Sequence, residues 1–193
     1  MKSFQIHTIE TAPEKSKPAL EGLKQNFGFI PNAAATMAGS PVLINAFIGS
    51  FGNFHGGSLD ESEKQTVLLT NAVTLECHWT VAFHSTLALK AGVPASDVAA
   101  IRSGSAPVGR KLAALSGLAK ALIRTKGHAV DADLERFIAV GYTPAQALEV
   151  IAAIAISTMA GTTANLAQTP LEDRFKPQAW KPRDLLAFLG SQA

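Results

Sequence analysis

Apolar residues along this chain recur every three to four positions and almost never alternate, a pattern that predicts helices from end to end and next to no sheet. Residues 13–25 carry Ala19, Leu20 and Leu23 at helical spacing, with Gly28 as the stop and Phe29-Ile30-Pro31-Asn32 as an ordered connection. Pro31 opens a short second helix through about Gly39. Ser40 caps a third, Pro41 takes its first position, and Val42, Leu43, Phe47 and Ile48 give it an apolar face up to Gly56-Gly57. Asp60 with Glu63 three residues later is a capping-box signature for a helix over 60–75, with Val67, Leu68 and Leu69 as its buried stripe.

The pattern continues with a helix over 76–91 stopped by Gly92, a short one over 95–101 opened by Pro94, and a loop at 104–109. Residues 110–126 repeat Leu112, Leu115, Ala119, Leu122 and Ile123 and end in basic residues and Gly127, as a helix C-terminus prefers. Asp131 caps a helix through Val140, and Thr143-Pro144-Ala145-Gln146 starts a long one over 144–165. The run Ala152-Ala153-Ile154-Ala155-Ile156, with Ala160 and Gly161, is apolar on all sides, which marks this helix as the core, covered by neighbours or by another subunit. The tail from about 170, with Pro177, Pro182, an exposed Trp180 and one apolar stretch at 185–189, is expected outside the core or across a subunit boundary. The reading is one all-α domain over 1–193 with a C-terminal extension.

Composition narrows the function classes. A chain of 193 residues, 47% hydrophobic and 17% charged, buries a sizeable single core. A net charge of +2 spread without basic blocks leaves no footprint for nucleic acid or an anionic membrane surface. The first residues lack a signal-peptide pattern, and the most apolar stretch, 147–161, is short of the ~20 residues that span a bilayer, so a cytoplasmic protein is expected. The single cysteine excludes an internal disulfide and suits a reducing compartment.

That cysteine stands in Glu76-Cys77-His78-Trp79-Thr80-Val81-Ala82-Phe83-His84. On a helix Cys77, Thr80 and His84 share one face, with Cys77 and His84 roughly 10 Å apart along the axis and Thr80 the residue within reach of His84. A metal centre on Cys77, His84 and His55 or His78 has two-turn rather than one-turn spacing, so no metal is expected. Gly104 and Gly109 have P-loop spacing, but Arg110-Lys111 follows and no strand precedes, so no nucleotide cofactor is expected either.

Residues 59–92 resemble the core of the carboxymuconolactone decarboxylase superfamily, in particular its AhpD-like alkylhydroperoxidase and peroxidase-related branch. The Gly28-Phe29-Ile30-Pro31-Asn32 segment, the Gly141-Tyr142-Thr143 turn and residues 165–171 extend the likeness over most of 20–175. The resemblance implies an AhpD-like helical bundle, a homo-oligomer with trimer and hexamer as plausible forms, and thiol-dependent reduction of organic peroxides. The family helix carries C-x-x-C-x-x-x-H after a glutamate about three turns upstream. Cys77 matches the first cysteine and His84 the histidine, but Thr80 stands in place of the second cysteine and Gln65 in place of the glutamate. A hydroxyl has no accessible anion near neutral pH, so Thr80 cannot take over peroxide attack.

The resemblance therefore implies a one-cysteine peroxidase. Cys77, near a helix N-terminus whose partial positive charge favours a thiolate, would be the redox thiol and His84 the proton relay. Thr80 would be a hydrogen-bonding spacer, Gln65 an orienting group, and an external thiol the reductant. A second reading is a thiol-independent decarboxylase-like enzyme for a small organic acid or lactone, governed by His84, with a cation such as Arg110 or Arg174 brought in from another helix or subunit. A third is a non-catalytic binding or assembly module with an apolar pocket and an inaccessible Cys77. Beside these stand the plain alternatives, a buried small hydrophobe for Cys77 and a hydrogen-bonded core histidine for His84.

Overall fold

A computed structural model describes residues 4–128 and 130–181 as nine α-helices and two 3₁₀ turns, with no strand among them. The helices are α1 (Lys17–Phe27), α2 (Asn32–Met37), α3 (Pro41–His55), α4 (Glu61–Thr74), α5 (His78–Lys90), α6 (Ala95–Arg102), α7 (Arg110–Thr125), α8 (Asp131–Ala139) and α9 (Pro144–Ala167). The all-α expectation holds, and most ends fall where local chemistry places them. Gly28 closes α1 in the left-handed region at φ 75°. Asp60 and Glu63 form a reciprocal capping box on α4, and Thr143 and Gln146 do the same on α9. Asp131 is not a cap: Val130 takes that position, and Asp131 is the first helical residue.

The centre of the bundle is α4, which packs on α5, α6, α7 and α9. Ten consecutive residues, Glu63 to Ala72, are buried, so Val67, Leu68 and Leu69 are not one stripe but part of a helix enclosed on every side. Several of its polar side chains bond to neighbours: Lys64 donates to the His55 carbonyl, Thr70 to Ser116 Oγ and Asn71 Nδ2 to Ser157 Oγ, while the buried Thr66 Oγ1 and Asn71 Oδ1 have no partner among the described residues.

The α9 helix differs from expectation in the opposite sense. Val150, Ala153, Ile156 and Ala160 pack inward, while Leu148, Ile151 and Leu166 are 67%, 50% and 68% exposed, so the described residues cover only one face. At 24 residues α9 is long and apolar enough to cross a membrane, longer than the 147–161 run suggests, but its inner face packs on α2, α3, α4, α5 and α7.

The extension lies on its own chain. Phe175, in the 3₁₀ turn Asp173–Gln178, is buried among Phe29, Trp79 and Phe83. Glu172 accepts from the Asn32 backbone N–H and the Trp79 indole at 2.7 and 2.8 Å. Arg102 donates to the carbonyls of Gln178 and Ala179, and Trp180 Nε1 donates to the Arg102 carbonyl, so Trp180 is half-buried rather than exposed. The apolar stretch 185–189 lies outside the described residues.

Candidate functional site

The α4–α5 junction decides where the motif residues go. After α4 ends, Glu76 turns left-handed at φ 51° and the Cys77 N–H donates to the Ala72 carbonyl at 3.1 Å. This turn delays the helix expected from 76: Cys77 becomes the extended N-cap and α5 begins at His78. The stripe through Cys77, Thr80 and His84 is therefore broken at its first member. Cys77 is 0% exposed among Ala33, Trp79, Ala82, Phe83, Ala164 and Phe175, with Gly161 of α9 packed against its Cβ.

Thr80 and His84 do stand together on α5, but they do not bond to one another. Thr80 Oγ1 donates back to the Cys77 carbonyl at 3.2 Å, the local alternative open to a helical hydroxyl. The partner of His84 is Gln65 instead: Nδ1 lies 3.0 Å from Gln65 Oε1. Gln65 Nε2 in turn donates to Glu61 Oε1 at 2.7 Å, and Glu61 Oε2 lies 3.9 Å from His55 Nδ1. Burial, assisted by His55, pushes the His84 imidazole down to about 3, so the ring is neutral at pH 7. Burial also lowers His55, against a smaller opposing pull from Glu61.

Two spaces meet at His84. An inner cavity of about 40 Å³ is walled by aromatic and aliphatic side chains, with Thr80, His84 and Ser157 as its polar residues. An outer cleft of about 280 Å³ lies between Asn26, His55, Glu61, Gln65 and His84, and reaches solvent at Asn26 and Glu61. Phe27, Phe51 and Phe83 line both and form the wall between them. Cys77 lines neither.

Arg110 and Arg174, the cations considered for this site, are elsewhere. Arg110 borders a surface hollow with Asp133 and Arg136, and Arg174 lies over the Phe29 ring at 3.8 Å. His78 is half-buried and outside both spaces. Among the described residues no three His, Cys, Asp or Glu side chains gather closely enough to hold a metal ion. Sequence reasoning missed Glu61 and Ser157. Glu61 had a signal, since it precedes Gln65 by one helical turn; Ser157 had none, because only the crossing of α9 over α4 and α5 brings it in.

Known proteins add the family. The model of the Carboxymuconolactone decarboxylase family matches residues 41–123. This segment belongs to that family. It contains all four motif positions, Gln65, Cys77, Thr80 and His84, together with Glu61. Outside it, the carboxymuconolactone decarboxylase likeness is one of fold. The alkylhydroperoxidase AhpD core structure of an uncharacterized peroxidase-related protein from Ralstonia eutropha JMP134 superposes with a TM-score of 0.79 at 17% identity, covering 94% of this chain and 97% of that one. A peroxidase-related protein from Silicibacter sp. TM1040 gives 0.72 at 14% identity over 91% and 95%. The debrominase Bmp8, in a Cys→Ala variant holding 2,3,4-tribromopyrrole, gives 0.70 at 22% identity over 92% and 97%. No curated protein matches the chain. The AhpD-like bundle is thus the fold, and enzymes are found within the family and among its structural neighbours.

Proposed function

We propose that this protein is a thiol-independent enzyme in which neutral His84 accepts a proton from a small, uncharged, largely apolar molecule of the lactone or protonated organic-acid class. The observation that carries the reading is the position of His84 between cavity and cleft while the Cys77 thiol is sealed away from both. At pH 7 His84 is a neutral imidazole with one free lone pair and no imidazolium proton to donate, so its first step is acceptance. Burial weakens it as a base. Charge forming on the ring is met by the Gln65 carbonyl dipole and, beyond it, the Glu61 carboxylate.

The substrate class follows from what lines the site. Among the described residues no lysine or arginine borders either space, and Glu61 borders the outer one, so a carboxylate placed there meets a like charge and no fixed counter-charge. The inner cavity of about 40 Å³ holds one or two waters at most, since a benzene-sized guest needs ~150 Å³. Substrate therefore occupies the outer cleft and extends inward only when the phenylalanine wall moves.

The test compares Cys77→Ser and His84→Gln on a panel of small lactones and carboxylic acids, with products resolved by mass spectrometry. Cys77→Ser retains the parental rate, and His84→Gln loses ~10²–10⁴-fold. Loss of turnover in Cys77→Ser would overturn the reading. Saturable binding without turnover by the parent would leave a binding module.

A second reading keeps the thiol. Cys77 sits at the amino end of α5, and the fold is that of the peroxidase-related Ralstonia protein. In it the Cys77 sulfur attacks the O–O bond of an organic hydroperoxide, the alcohol leaves, and two equivalents of an external thiol reduce the sulfenic acid in a compartment such as the cytoplasm. It requires the segment over Cys77 to open, and it predicts that Cys77→Ser abolishes hydroperoxide consumption. Under either reading we propose a homo-oligomer, with the exposed face of α9 as the surface between copies.

A further inference from the structure

We propose that Glu61 is a positioning residue for His84: its carboxylate sets the direction of the Gln65 amide, and the amide sets which imidazole nitrogen carries the proton. This deepens the acid–base reading above and rests on it for its catalytic meaning. The geometry it starts from does not.

An ionised carboxylate only accepts, so the Gln65 group 2.7 Å from Glu61 Oε1 is the amide NH₂. The other end of the amide is then the carbonyl oxygen, which also only accepts, and it lies 3.0 Å from His84 Nδ1. Nδ1 must therefore be the protonated nitrogen. In a neutral ring this leaves the lone pair on Nε2, the ring nitrogen with no hydrogen bond to a described residue, on a side chain that borders both spaces. Turning the amide over would set its oxygen against the carboxylate and its NH₂ against the ring, which then needs the opposite tautomer. The charge-assisted bond to Glu61 biases the pair against that state by roughly ten- to a hundredfold.

The chain has reasons to keep Glu61 where it is. It is the first residue of α4, beside the cap Asp60, where the positive end of the helix favours a carboxylate. His55 Nδ1 faces its other oxygen, and Lys64 holds the His55 carbonyl at 2.7 Å. A carboxylate touching the imidazole directly would hold the proton on the ring. The interposed amide transmits orientation while the ring stays neutral and able to accept.

The experiment uses full-chain protein labelled with ¹⁵N-histidine and long-range proton–nitrogen correlation at pH 7, with His84→Gln assigning the resonances among the 5 histidines. The parent shows a single Nδ1–H tautomer for His84. Glu61→Ala moves the two ring nitrogens toward averaged values, whereas Glu61→Gln, whose amide oxygen still accepts from Gln65, keeps the parental pattern. Gln65→Met removes the bias by itself, and adding Glu61→Ala to it changes nothing further. An Nε2–H tautomer in the parent, or a parental spectrum in Glu61→Ala, overturns the proposal. Activity plays no part in this readout: an unimpaired His84→Gln enzyme would remove the acid–base reading and leave the tautomer result standing.

Discussion

At His84 the folded chain takes up no proton until about pH 3, whereas the unfolded chain takes one up near 6.5. Between those values the unfolded state binds more protons, so stability is full above about 6.5 and falls with pH below it, by up to about 1.4 kcal/mol per unit. His55 is shifted in the same direction and adds to the slope. Urea melts at pH 7.5 and 4.5 should show this loss, and His84→Gln should show a smaller one. Cys77, completely buried, is expected to react with a thiol reagent only on unfolding. At this scale the sequence singled out Cys77, Thr80, His84 and Gln65, and the fold brings His84 and Gln65 into contact. Their bonding was not legible, because the partner of His84 comes from α4 rather than from its own helix.

At the level of elements, the connection from α3 to α4 depends on contacts nearly a hundred residues away in the chain. Glu149 of α9 accepts from the Ser58 N–H and hydroxyl and lies close over Gly57, where an added Cβ would stand 2.8 Å from Glu149 Oε2 and 3.0 Å from the Phe54 carbonyl. Gly57→Ala must displace a pinned carboxylate or the backbone, and is expected to cost about 1–3 kcal/mol in denaturant unfolding. Asp60→Ala removes the α4 capping box and should cost about 1 kcal/mol. Helix starts of this kind are local chemistry and could be read from the chain. The enclosure of α4 could not. Its Glu, Lys, Gln, Thr and Asn residues resemble a solvated face until Ser116, Ser157 and the His55 carbonyl are brought against them.

Across the whole molecule, two surfaces remain to be tested. Leu148, Ile151, Ala155 and Leu166 fall on one exposed face of α9. If copies of this chain meet there, sedimentation velocity shows an assembled parent and a monomeric Ile151→Glu, whereas a monomeric parent ends that proposal. The segment over 170–181 closes the other side. Phe175→Ala should lower stability by about 3–5 kcal/mol and speed labelling of Cys77, which shares its apolar cluster.

Periodicity, caps and breakers depend on residues within a few positions of each other, so the helices, most of their ends and the family motif are legible along the chain. Enclosure depends on what else arrives at a surface. It is packing between distant segments that makes α4 rather than α9 the central helix, folds Trp180 and the preceding tail back on α5 and α6, and seals Cys77 while His84 borders open space. The left-handed turn at Glu76 illustrates the division: the sequence places a boundary between helices over 60–75 and 76–91, and the folded chain turns at Glu76 and starts the second helix only at His78, leaving the thiol outside it.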